Sequence, residues 1–217
     1  MTEFFADTAT FLPVLLRGLG MTVLITICAL ALSVVLGFAL ALMKLSGIWI
    51  LSITSSTIIN IVRGIPIIVQ LFFVYFVLPE LGIVLDAFPA GVIGLGIAYS
   101  VYQAENLRGG FESVDPLIVE AGTALGMGQG LLMRRVIVPL GIRTALPSFG
   151  NTTVMLLKDS SIASTITVAE LTRAGQLLAI STFKNGTVYA LIALLYLATS
   201  LPLAMGIRAL ERRAARR

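Results

Sequence analysis

Two long uncharged segments limit what this chain can fold into. From Gly18 to Met43, 26 consecutive residues have no charged side chain, and a second run of 23 extends from Asn185 to Ile207. A helix needs roughly 20 mostly apolar residues to cross the hydrocarbon core of a bilayer. Charged residues are 12% of the chain and the mean hydropathy is +1.01, whereas soluble domains carry about 25% charge. The sequence therefore predicts a membrane protein.

Shorter uncharged runs between these two segments indicate further spanning helices. The run from Leu45 to Val62 is polar at its start, which favours an interfacial connection before the second helix. The run around Pro147 and Asn151 is polar enough to need protein around it. We predict an all-α, polytopic membrane protein of a single domain, residues 1–217, with five transmembrane helices at about 14–43, 57–79, 90–110, 141–161 and 186–208.

The basic residues predict how these helices are oriented. Lys and Arg are enriched in cytoplasmic loops, and the C-terminal tail RALERRAARR holds five arginines. Placing that tail in the cytoplasm puts 11 of the 15 basic residues on the same side. The N-terminal segment contains Glu3 and Asp7 and has neither a basic region nor a small-residue cleavage site. We therefore expect the N-terminus outside, the first helix retained in the membrane and the C-terminus in the cytoplasm.

The composition argues against enzymes and nucleic-acid-binding proteins. The chain has no histidine and one cysteine, Cys28, so the usual metal sites and Ser-His or Cys-His arrangements cannot be assembled. No glycine is followed by Lys and then by Ser or Thr, as a nucleotide-binding P-loop requires. The basic residues lie mainly at helix ends, which explains the net charge of +4 without nucleic acid. We expect no catalytic residue, no metal and no cofactor bound by this chain.

A glycine-rich stretch, EAGTALGMGQG at residues 120–130, interrupts this apolar pattern. Asp115 is a favourable N-cap, Pro116 suits the first helical position, and Gly126 suits the residue that ends a helix. The pattern predicts a short cytoplasmic helix over 116–125 and a second short piece over 131–138 that Pro139 ends. The short helix either lies on the lipid or docks a cytosolic partner, with Ala121 and Gly122 allowing that partner to approach closely.

The same stretch resembles the EAA loop of the membrane subunits of ATP-binding-cassette (ABC) importers. That loop has the pattern E-A-A, three residues, G, nine residues, I-x-L-P. The chain has EAG at 120–122, Gly126 three residues later and VIVP at 136–139 after nine more. Gly122 takes the place of the third-position Ala. The resemblance implies that Glu120, Ala121, Gly122, Gly126 and Pro139 couple the chain to an ATPase.

Four other segments resemble the polar amino acid branch of that family. They are LLRGLGMTVLIT, VRGIPIIVQLFFVYFVLPELGI, AYSVYQAENLRGGFESV and LPSFGNTTVMLLKDSSI, and the resemblance covers most of residues 12–210. It implies a permease with the type I ABC importer fold in the bacterial cytoplasmic (inner) membrane, with its coupling region at 113–139. The implied partners are two ATPase subunits that hold ATP–Mg, a second permease protomer, identical or not, a periplasmic or other extracytoplasmic solute-binding protein, and membrane lipid. The resemblance does not imply which amino acid is carried.

Ionisable and polar residues within the apolar segments are candidates for the substrate path, because charges in a membrane protein are costly unless they are paired or hydrated. Glu105 either pairs with Arg108 at the interface or faces the solute. Lys158 and Asp159 form either a structural pair or part of an outer gate. Asn151, Thr152 and Thr153 could line a polar cavity, although Thr often bonds its own helix backbone. The candidate path residues are Glu105, Asn151, Thr153, Lys158 and Asp159.

Two other functions are compatible with a polytopic chain of this kind. One is a secondary transporter driven by an ion gradient, with Glu105 as the coupling acid and no ATPase. The other is a membrane anchor or scaffold that transports nothing, which the polar fourth helix makes a poor match. Reconstitution of the purified chain without ATP distinguishes the secondary transporter from the permease.

Overall fold

The computed structural model describes residues 2–215, and the side chains of residues 7–213, as an all-helical protein. Short π and 3-10 segments continue the helices at Phe73–Val77 and Leu78–Leu81, at Met133–Ile137, and at Ser160–Ile166. The α-helices are α1 (Thr2–Leu45), α2 (Trp49–Gly64), α3 (Ile67–Phe72), α4 (Ala87–Glu112), α5 (Pro116–Ala124), α6 (Gln129–Leu132), α7 (Val138–Asp159), α8 (Leu171–Thr182) and α9 (Asn185–Ala215).

Within the described residues, two helices are long and apolar enough to cross a membrane by themselves. They are α1, over Asp7–Leu45, and α9, over Asn185–Arg213. A third candidate is the pair formed by α2 and the segment Ile67–Leu81, which are bent by 100° relative to each other. The helices α4 and α7 are not among these candidates, and both have buried residues along their length.

The close packing of α1 on α4 forms the centre of the bundle. Glycines on both helices allow this approach: a Cβ atom added to Gly37 would lie 2.7 Å from the Ser100 carbonyl oxygen, and one added to Gly91 would lie 2.9 Å from Ile25 Cδ1. Because Ile25 meets Gly91 and Gly37 meets the region of Ser100, the two helices run parallel. A connection that returns the chain across the bundle must therefore lie between them.

The next helices alternate in direction around this pair. Asn106 on α4 bonds to Thr152 on α7, and Tyr99, further from the end of α4, bonds to Asp159, so α7 runs antiparallel to α4. Gly150 on α7 lies against the far part of α9, at Ile207. The C-terminal ends of α1, α4 and α9 thus meet at one end of the molecule, together with the start of α7 and with α5.

The second predicted helix, 57–79, differs from the structure. The helix begins earlier, at Trp49, and the chain breaks at Ile65 and Pro66 before α3 begins. Pro66 has no N–H to donate and disfavours a helical residue before it. The Gln70 side-chain amide donates to the carbonyls of Val62 and Ile65, 2.8 Å each. It thereby satisfies carbonyls that a continuous helix would have bonded to backbone N–H groups.

The chain also remains helical through Pro139, where the sequence predicts a stop. Met133–Ile137 forms a π turn, and the Val138 N–H bonds to the Met133 carbonyl five residues back. Pro139 then occupies the first turn of α7, a position that tolerates the missing N–H. The other predicted helices differ from the observed ones only in where they begin and end. For example, α1 already begins at Thr2 and α9 continues to Ala215.

The α1–α4 contact leads to a first prediction. Gly37→Ala places a Cβ 2.7 Å from backbone of α4, so the helices must separate, at a cost of about 1–3 kcal/mol of the free energy of unfolding. Thermal denaturation of the detergent-solubilised protein should show a lowered midpoint. Gly20→Ala on the same helix is the control, because nothing lies within 4 Å of its added Cβ. Equal midpoints for the two variants would contradict the packing argument.

Candidate functional site

The short helix α5 is built as the sequence predicts. The Asp115 carboxylate accepts a hydrogen bond from the Leu117 N–H at 2.9 Å, and Pro116 follows it as the first helical residue. Gly126, just beyond the end of the helix, has a φ of +79°. Residues other than glycine adopt such a backbone angle only at a cost in free energy. The Gly126 N–H bonds to the Thr123 carbonyl at 2.9 Å. The predicted N-cap and the predicted terminating glycine are confirmed.

One side of α5 is left uncovered by the described residues of its own chain. Leu117 is 70% exposed and Leu125, at the end of the helix, is 83% exposed. Glu120 and Ala121 are also exposed. An apolar and acidic surface of this kind, held on a capped helix at the basic end of the bundle, is suited to contact with another protein.

Gly122 faces the opposite way. It is buried, and a Cβ added to it would lie 2.5 Å from Leu132 Cδ1 and 3.4 Å from the Met127 sulfur. The sequence-based idea that Gly122 leaves room for a partner is therefore wrong, since Leu132 of the same chain fills that space. Pro139 is exposed in the first turn of α7 and lies beyond the π turn that separates it from α6.

At the end of the bundle from which α5 continues, a charged network joins the ends of α1 and α4. Glu105 Oε1 accepts a hydrogen bond from Lys44 Nζ at 2.8 Å, and Glu105 Oε2 accepts one from Arg108 Nη2 at 2.8 Å. Arg108 also pairs with Glu112. Both carboxylate oxygens of Glu105 thus have cationic partners, which favours the ion-pair interpretation of Glu105 over a free carboxylate facing a solute.

Polar side chains also connect α4 with α7. The Tyr99 hydroxyl donates to Asp159 Oδ2 at 2.6 Å, and Asn106 Nδ2 donates to Thr152 Oγ1 at 2.9 Å. Asp159 therefore has Tyr99 as its partner, and the structural Lys158–Asp159 pair suggested by the sequence is not formed. These bonds fix the relative position of the two helices along their length.

A groove of about 360 Å³ runs between α7 and α9, and two of the candidate path residues line it. Asn151 and Lys158 are both exposed there, and Lys158 forms no ion pair with the side chains of residues 7–213. Ser200 on α9 lies opposite them. Thr153 does not line this groove and donates its hydroxyl to the Phe149 carbonyl at 2.9 Å. The structure thus brings together Asn151 and Lys158, and leaves Glu105, Thr153 and Asp159 outside that groove.

Sequence reasoning missed Glu170, a fully buried carboxylate at the start of α8. It accepts hydrogen bonds from the Thr172 and Arg173 N–H groups, at 2.9 and 2.7 Å, and from the Tyr196 hydroxyl at 3.0 Å. It thus caps α8 and ties it to α9. A weak signal was present, because Glu170 precedes an apolar repeat at every fourth residue, but Glu is not among the preferred N-cap residues.

Known proteins resemble the chain over nearly its whole length. A profile of the family described as "Binding-protein-dependent transport system inner membrane component" matches residues 33–216. The glutamine transport system permease protein GlnP of Escherichia coli K12 is 37% identical over 204 residues, 93% of each chain. The probable glutamine ABC transporter permease protein GlnM of Bacillus subtilis is 35% identical over 196 residues, 90% of this chain and 91% of GlnM.

Two solved structures have the same fold. The crystal structure of an amino acid ABC transporter with histidines superimposes with a TM-score of 0.91, at 37% identity, over 96% of this chain and 98% of the other. The MetNI methionine ABC transporter in an inward-facing conformation gives a TM-score of 0.82 at 19% identity, over 94% of this chain and 98% of the other. The resemblance stated from the sequence motifs is confirmed.

The cap of α5 leads to a second prediction. Gly126→Ala forces a Cβ onto a residue with a φ of +79°, which costs about 1 kcal/mol. Amide hydrogen exchange of residues 117–125 should become about fivefold faster. The control is Gly128→Ala, because Gly128 has a φ of −67° and open space around it. If both variants leave exchange unchanged, Gly126 does not stabilise the end of α5.

Proposed function

The chain belongs to the family of binding-protein-dependent transport system inner membrane components, and we propose that it is the permease subunit of an ATP-driven importer of a polar amino acid. The observation that carries this proposal is α5, a capped helix with exposed Leu117, Glu120 and Leu125 that matches the family's coupling pattern. The relatives named as glutamine permeases make glutamine a first substrate to test, and the transporter with histidines makes histidine a second.

We propose five spans, with the N-terminus outside and the C-terminus in the cytoplasm. The alternation of helix direction from α1 through α3, α4, α7 and α9 supports this arrangement. The end of the bundle at which α1, α4 and α9 finish also holds Lys44, Arg108, Arg208, Arg212 and Arg213. A positively charged end of this kind is typical of the cytoplasmic side, which supports the proposal that the chain is a multi-pass protein of the bacterial cytoplasmic (inner) membrane.

The proposed assembly contains four further chains. Two ATPase subunits bind and hydrolyse ATP–Mg, so that this chain needs no nucleotide site of its own. A second permease protomer, identical or not, completes the transmembrane path, and an extracytoplasmic solute-binding protein delivers the amino acid. ATP binding moves the ATPases, and the exposed surface of α5 transmits that movement to the permease.

Within the coupling region 113–139, the residues have different roles in this proposal. Glu120 and Ala121 are exposed and contact the ATPase directly. Gly126 determines how α5 ends and therefore where Leu125 points. Gly122 holds α5 on its own chain through Leu132, and Pro139 lies where the connection from α5 enters the membrane helix α7.

The groove between α7 and α9 is the proposed part of the substrate path. Lys158 forms no ion pair with the described carboxylates, including Glu211 at the other end of the groove, so its ammonium group is available for the carboxylate of an amino acid. Asn151 lies about two helix turns away along the same face. Thr153 and Asp159 lie outside the groove and stabilise α7 in this proposal, through their hydrogen bonds to the Phe149 carbonyl and to the Tyr99 hydroxyl. The ion pairs of Glu105 count against its use as a proton-coupling acid in a secondary transporter.

Substitutions on α5 test the coupling proposal. Glu120→Lys reverses the charge of the exposed surface, and Gly126→Asp adds a negative charge at the negative end of the helix dipole. We expect both variants to lose co-purification with the ATPase and ATP-dependent uptake of labelled glutamine or histidine, while remaining in the membrane. Glu80→Lys is the matched control, because Glu80 is exposed and lies at the opposite end of the bundle.

Normal uptake by both α5 variants would overturn the coupling role. Vesicles that contain only the purified chain distinguish the permease from a secondary transporter. Uptake driven by an ion gradient without ATP would show a secondary transporter, and we expect no uptake until the ATPase and ATP are added.

Substitutions in the groove test the substrate path. Lys158→Met removes a charge-assisted hydrogen bond, which contributes about 1.5–3 kcal/mol, so uptake should fall roughly tenfold or more while ATPase co-purification is retained. Asn151→Leu should have an effect in the same direction. Thr144→Val on the same helix is the control, since its hydroxyl bonds its own backbone at Leu140 outside the groove. Unchanged uptake by Lys158→Met would exclude Lys158 from the path.

A further inference from the structure

The helix α2 crosses α1 and α4 instead of running along them. Ser55 Oγ donates to the Leu40 carbonyl at 2.7 Å, and Ile59 packs against Leu40 and Val101. Val62 belongs to the same cluster. From Ser55 to Val62 the helix advances by about 10 Å, yet its contacts with the two long helices stay at one level. A helix that ran alongside them would contact successive turns.

That level lies close to the charged end of the bundle. Leu40 is one helical turn from Lys44 on α1, and Val101 is one turn from Glu105 on α4, which corresponds to about 6 Å along each axis. Lys44 and Glu105 pair at 2.8 Å. Interfacial amphipathic helices bury their apolar side about 5–10 Å into the boundary between headgroups and acyl chains. The depth of α2 below the charged network falls in this range.

The segment that follows α2 is long enough to cross the rest of the membrane from this level. Ile67–Leu81 turns by 100° relative to α2 and then runs antiparallel to α4, with Leu71 against Gly94. Its helical length is about 22 Å. Starting one turn below the charged network, such a segment reaches the other side of a hydrocarbon core of about 30 Å. The second crossing therefore needs no residue of α2.

The outer surface of α2 is suited to the lipid interface. Trp49 is 75% exposed at the first position of the helix, and Ile61 is 57% exposed on its fourth turn. Between residues 45 and 79 the only charged residue is Arg63, which is exposed in the last turn of α2 with its guanidinium 6.0 Å from the centre of the Tyr102 ring. Tryptophan favours the interface between membrane and water, and cations are complementary to phospholipid phosphates.

We propose that α2 is an interfacial helix that lies in the plane of the cytoplasmic leaflet, in contact with phospholipid headgroups and the upper acyl chains, and that Ile67–Leu81 alone forms the second span. The inference rests on the proposed function for one point, that the charged end of the bundle is cytoplasmic. The contacts that fix the position of α2 relative to Lys44 and Glu105 do not depend on it.

The only tryptophan of the chain, Trp49, allows a direct test. The full-length protein is reconstituted into phosphatidylcholine and phosphatidylglycerol vesicles that contain lipids brominated at a shallow or a deep acyl position. We expect the shallow quencher to reduce Trp49 fluorescence more than the deep one. In a second protein, Trp49→Phe is combined with Ile61→Trp, which moves the probe about 18 Å along the helix axis. An in-plane helix gives the same shallow depth at both positions.

A third protein checks the depth scale. Trp49→Phe with Phe72→Trp places the probe on α3, where we expect the deep quencher to be the more effective one. Depths at residues 49 and 61 that differ by more than about 10 Å would show that α2 spans the membrane. Protection of both probes from every lipid quencher would show that a second copy or another chain covers α2. Either result overturns the inference.

The same preparations separate this inference from the proposed function. Co-purification with the ATPase depends on α5 and is expected for all three tryptophan proteins. If the protein without substitutions does not co-purify with the ATPase, the permease proposal is contradicted, whatever the depth of α2. Ile58→Trp, also exposed on α2, replaces Ile61→Trp if that variant does not fold.

Discussion

The close contact between α1 and α4 determines where the other helices can lie. The two helices run parallel, so the chain must cross the bundle between them, and the narrow separation at Gly37 and Gly91 leaves no room for another helix in that contact. The returning segment Ile67–Leu81 therefore packs on the outer side of α4, and α7 packs on another side. Helix packing without a hydrophobic driving force depends on such small residues, because lipid already surrounds the apolar side chains.

Polar side chains fix the register of this bundle at three levels. Lys44 and Glu105 join the helix ends at the basic side, Tyr99 and Asp159 join α4 to α7 further along, and Glu170 joins α8 to α9. Buried polar groups without partners are costly, and their cost is greatest where water is absent. Each of these bonds therefore favours one relative position of two helices, which apolar contacts alone would leave free to slide.

The sequence predicted the local structure of α5 well because its determinants are local. Asp115, Pro116 and Gly126 act within a few residues through the cap and the left-handed backbone. The partner of Asp159 and the contact between Gly122 and Leu132 were not predictable, because they depend on which helices meet. The continuation through Pro139 was missed for another reason, since the preceding π turn leaves no recognisable pattern in the sequence. The family resemblance, in contrast, followed from the residues and the order of five motifs along the chain.

The position of Leu132 has a mechanical consequence. This side chain supports Gly122 on α5, and it belongs to an unbroken helical run from Gln129 to Ile166. A helix is much stiffer along its axis than a loop, because each turn is hydrogen-bonded to the next. A push on α5 that moved Leu132 would therefore act on the same helical run that carries Asn151 and Lys158. The π turn at Met133–Ile137 and Pro147 are the points on this path where the run departs from regular α-helix geometry and could bend.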